Sequence, residues 1–177
     1  MVEQAARRGC YSRLEVAELV DFLRREADAV EAAAASSEPA IHPYDLLVAA
    51  DVFVYIGDLG PVLAAAAAAA APGAVLAFST EALERAPGGK ANRSPPAASE
   101  PSAAALAVGG SGGCPGLRLQ VTGRYAHSLR YLEDTGRRCG WDLVSSDQSV
   151  IRQNGGEPIW GHLCVMRRVG GGRGQAG

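Results

Sequence analysis

The sequence predicts an α/β protein with a mostly parallel sheet that closes in a C-terminal antiparallel hairpin. Three observations predict it. Residues 44–50 form a nearly continuous apolar run, too short for a helix core, that stops at Asp51; this is the pattern of a buried strand. Residues 74–78 repeat the pattern after the alanine-rich run 62–71 and the breaker Pro72-Gly73. The order is then strand, helix, strand, a crossover that pairs its strands in parallel. Residues 141–152 and 159–168 are strand candidates on either side of Asn154-Gly155-Gly156, a strong hairpin turn signal.

The other elements follow in chain order. Residues 1–9 read as a short helix, and residues 14–19 as a strand with its exit, before a short helix holding Phe22 and Leu23. Residues 31–40, rich in alanine and serine with Pro39, read as a loop or frayed helix end. After Asp51 the chain turns through Ile56-Gly57-Asp58-Leu59-Gly60-Pro61. Asp58 is the expected N-cap of the next helix, with Pro61 in the first turn, where its missing N–H does no harm. Pro72-Gly73 is expected to end that helix, since proline breaks the ladder and glycine takes the left-handed cap. Residues 84–116 are rich in Pro, Gly, Ser and Ala, with only Leu106 and Val108 as sizeable apolar groups. Such a segment cannot offset its ordering entropy and is expected to be a disordered insertion. Residues 117–121 form a short strand-like run. Gly123-Arg124-Tyr125-Ala126-His127-Ser128 is expected to open a helix with Tyr125, Leu129 and Leu132 on one face, ended by Gly140. Residues 1–168 make one domain, and residues 169–177 a disordered glycine-rich tail.

Composition sets outer bounds. With 177 residues, 47% of them hydrophobic, the chain can bury a single core, although alanine supplies much of that fraction and little area. A formal charge of −2 gives no electrostatic reason to expect nucleic acid or an anionic membrane surface as partner. Cys10, Cys114, Cys139 and Cys164 have no CxxC spacing, and no His/Cys cluster has zinc spacing. Free thiols, no metal and a reducing, by default cytoplasmic, compartment are expected. Glu3, Gln4, Arg7 and Arg8 stand where a secretory signal would be apolar. The longest apolar run, residues 62–71, falls short of the roughly 20 residues of a membrane span, so a soluble protein is expected.

The run YDLLVAADVFVYIGDL, the APG before AVLAFSTE, and the later VTGRYAHSLRYLEDTGRRCGWDL resemble the class I S-adenosylmethionine-dependent methyltransferases. Within that family the wording is most similar to the ubiquinone/menaquinone-type and TPR-linked methyltransferase domains. The resemblance implies a Rossmann-like sheet. Residues 44–50 would be its fourth strand and Ala-Pro-Gly the junction from helix to fifth strand. It covers the chain to about Arg168, apart from the insertion.

What the family has and this chain departs from is a glycine-rich loop after the first strand and an acidic residue ending the second. Gly109, Gly110, Gly112 and Gly113 have no apolar strand before them, the context such a loop needs. The resemblance therefore implies a domain lacking its first two strands, with residues 1–9 as the helix after the second and the native protein continuing upstream of Met1. S-adenosylmethionine is the implied cofactor. Because the glycine loop is absent, the 177-residue chain is expected to bind neither S-adenosylhomocysteine nor NAD.

Site residues are carried over in the same way. By resemblance, Glu18 accepts a hydrogen bond from the adenine amino group and the Leu19 N–H touches the ring; alternatively Glu18 is a solvated charge at a helix start. Asp51 ends a buried strand, where open α/β sheets present ligands, and would face the methionine part or the sulfonium; its other role would be to cap the turn at residues 52–55. Tyr55 would offer its ring to the sulfonium, or simply pack. Ser79, Thr80 and Glu81 border the same crevice, with Glu81 either orienting an acceptor or standing as a solvated loop carboxylate. On the substrate side, His127 is the candidate proton acceptor, with Arg124 binding an anionic group and Tyr125 beside them. Each also has a structural reading. His42 precedes Pro43 in a loop and His162 lies within the last strand, so both rank below His127 for the proton-acceptor role. The methyl acceptor, whether small molecule, quinone precursor or protein side chain, is not specified by these residues. Two other classes stay open: an inactive methyltransferase-like partner of a full-length enzyme, and another nucleotide-binding α/β protein such as a dehydrogenase fragment.

Overall fold

The computed structural model describes residues 2–35, 42–84 and 116–170. Helices α1 (Val2–Ala6) and α2 (Leu19–Ala35) come first, then strand β1 (Tyr44–Ala49), a 3₁₀ turn (Phe53–Tyr55), helix α3 (Gly60–Ala69) and strand β2 (Ala70–Ala82). Beyond residue 115 follow β3 (Leu117–Leu119), β4 (Tyr125–His127), α4 (Leu129–Arg138) and the strands β5 (Trp141–Asn154) and β6 (Glu157–Arg168).

The strands make one mixed six-stranded sheet in the order β3-β4-β2-β6-β5, with β1 also on β2. Strand β2 organises it. One edge of β2 pairs antiparallel with β6, from Val75 opposite Arg167 to Glu81 opposite Gly161. Its other edge is divided: β1 runs parallel beside it from Leu46 opposite Val75 to Ala49 opposite Phe78, and β4 takes over in parallel at Glu81 and Ala82. The apolar runs at 44–50 and 74–78 thus lie side by side and point the same way. Strands β5 and β6 form the hairpin, turning through Gly155 and Gly156, both at positive φ. The carboxyl ends of β1 and β2 therefore meet the start of β4 at one place.

One face of this sheet is covered. Leu76, Phe78, Cys164 and Met166 are buried there against Val62, Leu63, Ala65, Ala66 and Ala69 of α3 and Leu132 of α4. Helix α2 adds Leu23 and packs on α3. The alanines keep α3 helical and let its neighbours approach. Trp141 is fully buried and donates its indole N–H to the Leu63 carbonyl at 2.9 Å, tying the hairpin to α3. Burying each large side chain of this layer contributes about 1.5–3 kcal/mol. The opposite face leaves Leu46, Val48 and Leu163 exposed.

Several expectations are corrected. Residues 14–18 form no strand: they run as exposed, irregular chain, with Val16 84% exposed, because no neighbouring strand takes up their backbone groups. The helix after them is long, reaching Ala35 through the stretch read as loop; residues 36–41 lie outside the described residues. Strand β1 is only half-buried on one face, through Leu47 and Ala49, and exposed on the other. Helix α3 starts and ends earlier than its expected span of 62–71, and Pro72-Gly73 falls inside β2, with Gly73 at φ +81°. The bulge this produces is visible in the register, where Tyr44 faces Ala70 but Leu46 faces Val75. Leu59, not Asp58, sits at the N-cap of α3, and Asp58 Oδ1 accepts from the Gly60 N–H at 2.9 Å. Tyr125, Ala126 and His127 belong to a strand rather than to the helix, which begins after Ser128; Ser128 Oγ caps it by accepting from the Tyr131 N–H at 3.2 Å. The insertion (apart from Glu84 and Gly116) and the tail after Gly170 lie outside the described residues.

Candidate functional site

The loop from Asp51 to Leu59 crosses the carboxyl ends of β1 and β2, and the place where they meet is termed the crevice. Asp51 is the only non-glycine residue with positive φ among the described residues, at 53°, and its N–H donates to Ser79 Oγ at 3.0 Å. That bend stops β1 and turns the chain across the end of β2. The following 3₁₀ turn has Val52 at its N-cap and no side-chain cap bond, so capping is not the task of Asp51. Phe53 anchors the turn in the core against Phe78, ring centroids 4.9 Å apart. Tyr55 stays exposed at the rim.

Strand β4 supplies the facing wall. Arg124 donates through Nη2 to the Tyr55 hydroxyl at 3.0 Å, and its guanidinium carbon lies 5.3 Å from the centroid of that ring. The bond to Tyr55, helped by the charges of Asp51 and Glu81, holds the guanidinium pKa above its already high value. Arg124 Nε is buried without a partner. Tyr125 packs on Gly57, where an added Cβ would stand 2.8 Å from its ring. Asp51, Tyr55, Arg124 and Tyr125 are thus brought together.

His127 lies behind them, fully buried. Its Nε2 meets the Gly57 carbonyl at 2.9 Å and its Nδ1 meets Thr80 Oγ1 at 2.7 Å. A carbonyl only accepts, so Nε2 carries the proton and Nδ1 of the neutral ring accepts from the threonine hydroxyl. Burial lowers the His127 pKa, against the opposing effect of the Gly57 bond. In this structure both nitrogens of His127 are engaged and its ring is enclosed in the wall. Glu81 is corrected: it is no loop carboxylate but lies within β2, 4% exposed, bonded to Arg152 through Nε at 3.2 Å and through Nη2. His162 is buried in β6, its pKa lowered by burial and then by the nearby His127.

Glu18 and Leu19 do not join this cluster. Glu18 closes the first turn of α2: its carbonyl accepts from the Phe22 N–H and its Oε2 from the Asp21 N–H, at 2.9 and 2.8 Å. The Asp21 bond holds the Glu18 carboxyl below the ordinary carboxylate range. Leu19 lines a separate groove of about 350 Å³ with Arg13, Phe22 and Tyr44. Tyr44 opens β1 and Asp51 follows its end, which sets the two places about 20 Å apart along the strand.

Sequence reasoning did not single out Tyr131 or Arg152. Tyr131 accepts from the Leu59 N–H at 2.9 Å and donates to Asp58 Oδ1 at 3.1 Å. Burial, ahead of the Asp58 contact, pushes its phenol up to about 12. Its position three residues after a capping serine, on the inner face of α4, was the available signal. Arg152 lies in a polar stretch of β5 and gave none.

The described residues do not by themselves fit S-adenosylmethionine. The Glu18 carboxylate is committed to its own helix, and the Tyr55 ring already carries the Arg124 guanidinium in place of any other cation. Among the described residues no group of three or more His, Cys, Asp or Glu side chains could hold a metal ion, and no helix is long and apolar enough to cross a membrane.

No protein-family model matches the chain, and no curated protein matches it. Solved structures do. The crystal structure of the [4+2]-cyclase SpnF aligns with a TM-score of 0.56 at 11% identity, over 96% of this chain and 62% of that one. A structure described as conversion of a disulfide bond into a thioacetal group during echinomycin biosynthesis gives 0.52 at 16% identity, over 94% and 60%. An S-adenosylmethionine-dependent methyltransferase from Mesorhizobium loti gives 0.51 at 16% identity, over 94% and 75%. The chain spans about three-fifths of the length of the first two. These likenesses show the fold: a mixed α/β sheet of the kind found in S-adenosylmethionine-dependent methyltransferases, a kind that also serves a cyclase.

Proposed function

We propose that the chain forms the acceptor-side part of an S-adenosylmethionine-dependent methyltransferase domain of the ubiquinone/menaquinone or TPR-linked type. The crevice beyond β1 and β2 is its working surface. The observation that carries this reading is the convergence of Asp51, Tyr55 and Arg124 at the carboxyl ends of two parallel strands, where open α/β sheets bind their ligands. Asp51 supplies an exposed carboxylate toward a cationic ligand, and Arg124, held by Tyr55, a guanidinium toward an anionic acceptor. The protein's task in such chemistry is chiefly to hold the two reactants close and aligned, an effect worth about 7–11 kcal/mol when complete.

A second reading is favoured by the committed Glu18 and by the Arg124 guanidinium already set against the Tyr55 ring: a non-catalytic, methyltransferase-like partner of another enzyme. Amide-shift mapping of the full chain with millimolar S-adenosylhomocysteine separates the two. Shifts confined to residues around Asp51, Tyr55, Ser79 and Arg124, and absent with NAD, support the first reading. A folded chain with no shifts fits either reading, since the glycine-rich loop is absent. Mixing with a full-length methyltransferase followed by cross-linking then decides: a cross-linked complex supports the second reading and its absence supports the first. Equal shifts with NAD, or shifts centred on the groove at Phe22, overturn both.

A further inference from the structure

The crevice loop is held from outside itself at consecutive positions. The Gly57 carbonyl accepts from His127 Nε2, Asp58 Oδ1 accepts from the Tyr131 hydroxyl, and the Leu59 N–H donates to that same hydroxyl. The two anchoring rings stack, centroids 5.5 Å apart and planes 23° apart. Thr80 of β2 locks the pair from behind through His127 Nδ1. Upstream, Asp51 is tied to Ser79 and Tyr55 to Arg124. Apart from Ser79, Thr80 and Phe78 of β2, the anchors named are His127 of β4, Tyr131 of α4 and Arg124 just before β4.

We infer that His127 and Tyr131 are positioning residues: a stacked latch that sets where the loop bearing Asp51 and Tyr55 stands. The imidazole serves as a permanent Nε2–H donor. Docking of β4 and α4 onto β2 thereby assembles the crevice, and loss of the latch releases the loop while the rest of the sheet stays formed. The hairpin and β1 keep their own contacts, since β1 pairs with β2 alone and β5 with β6. This deepens the reading above and rests on it only for the loop's bearing on ligand; the latch itself is measured with no ligand present.

The test compares amide hydrogen exchange in the full chain as wild type, His127→Phe and His127→Gln. Phenylalanine keeps the ring and its stacking but removes both hydrogen bonds; the glutamine amide restores a donor toward Gly57. In His127→Phe the amides of Tyr55, Ile56 and Leu59 are expected to exchange at least tenfold faster than in wild type. Those of Leu143 and Val165 in the hairpin are expected to change less, and glutamine to recover much of the loss. Equal acceleration in loop and hairpin, or none in the loop, overturns the inference. Should His127→Phe fail to fold, nitrogen-15 spectra of the wild-type imidazole decide. A protonated Nε2 and unprotonated Nδ1 near neutral pH support the latch, and the reverse tautomer overturns it.

Discussion

Replacing Arg152 by methionine removes the partner of a carboxylate that water does not reach. Glu81 sits in β2, 4% exposed, and its Oε1 takes both the Nε bond at 3.2 Å and the Nη2 bond from Arg152. Breaking a buried ion pair by deleting one member costs about 3–5 kcal/mol, because the other charge is left desolvated. Two features place this case at the low end. The Arg152 side chain is 19% exposed, and Arg124 lies close enough for Glu81 to act on its charge. A loss of about 3 kcal/mol is therefore expected, a large part of a typical net stability of about 5–15 kcal/mol. Adding Glu81→Gln removes the stranded charge, so the double variant should be more stable than Arg152→Met alone, with a coupling of about 0.5–3 kcal/mol. Urea unfolding followed by tryptophan fluorescence reads both through the midpoint at constant slope. The reasoning is refuted if Arg152→Met costs less than about 0.5 kcal/mol, or if the two substitutions simply add.

Three further outcomes are expected. Gly161→Ala would place a Cβ 2.5 Å from the Thr80 carbonyl oxygen and 2.6 Å from Ile151 Cδ1; since backbone must move, a loss of about 1–3 kcal/mol is expected in urea midpoints, and a neutral result contradicts the β2–β6 register. Trp141→Phe removes the indole bond that the Leu63 carbonyl accepts in addition to its place in the α3 ladder, costing about 0.5–1.5 kcal/mol for the lost bond alone, and no measurable change would mean the indole N–H is not committed to α3. Burial lowers the pKa of both His127 and His162, so the unfolded chain takes up protons first as the solution is acidified. Stability should be constant above the ordinary histidine value of about 6.5 and fall below it, by up to about 1.4 kcal/mol per pH unit per histidine, until the lowered folded values are passed. Urea midpoints that stay flat from about pH 7 to about pH 5 would exclude buried neutral rings.

Local chemistry made the centre of the fold readable. The apolar runs of β1 and β2 and the Asn-Gly-Gly turn each specify their own conformation, and the structure places a strand, a strand and a hairpin there. The end of β1 was legible for the same reason, since a polar residue closing an apolar run marks a strand end, and that brought Asp51 into view. What local chemistry could not show was pairing. Leu14-Glu15-Val16 alternates like a strand but finds no partner, and without one its backbone gains nothing by extending. Tyr125-Ala126-His127 carries helical spacing into Leu129 and Leu132, yet the free edge of β2 beyond Phe78 captures it as β4. The role of His127 was hidden for a related reason. Its two partners, Gly57 and Thr80, are 70 and 47 residues away in sequence, so only the assembled sheet shows a ring with both nitrogens taken.

The claim beneath all of this is that β1 and β2 are parallel neighbours whose carboxyl ends meet at the crevice. Nuclear Overhauser contacts between backbone protons in the full chain measure it directly. The expected set pairs Leu46 with Val75, Leu47 with Leu76, Val48 with Ala77 and Ala49 with Phe78, advancing together along both strands. Contacts that run in opposite directions, or a β1 paired with any strand other than β2, would contradict the crevice and the function built on it.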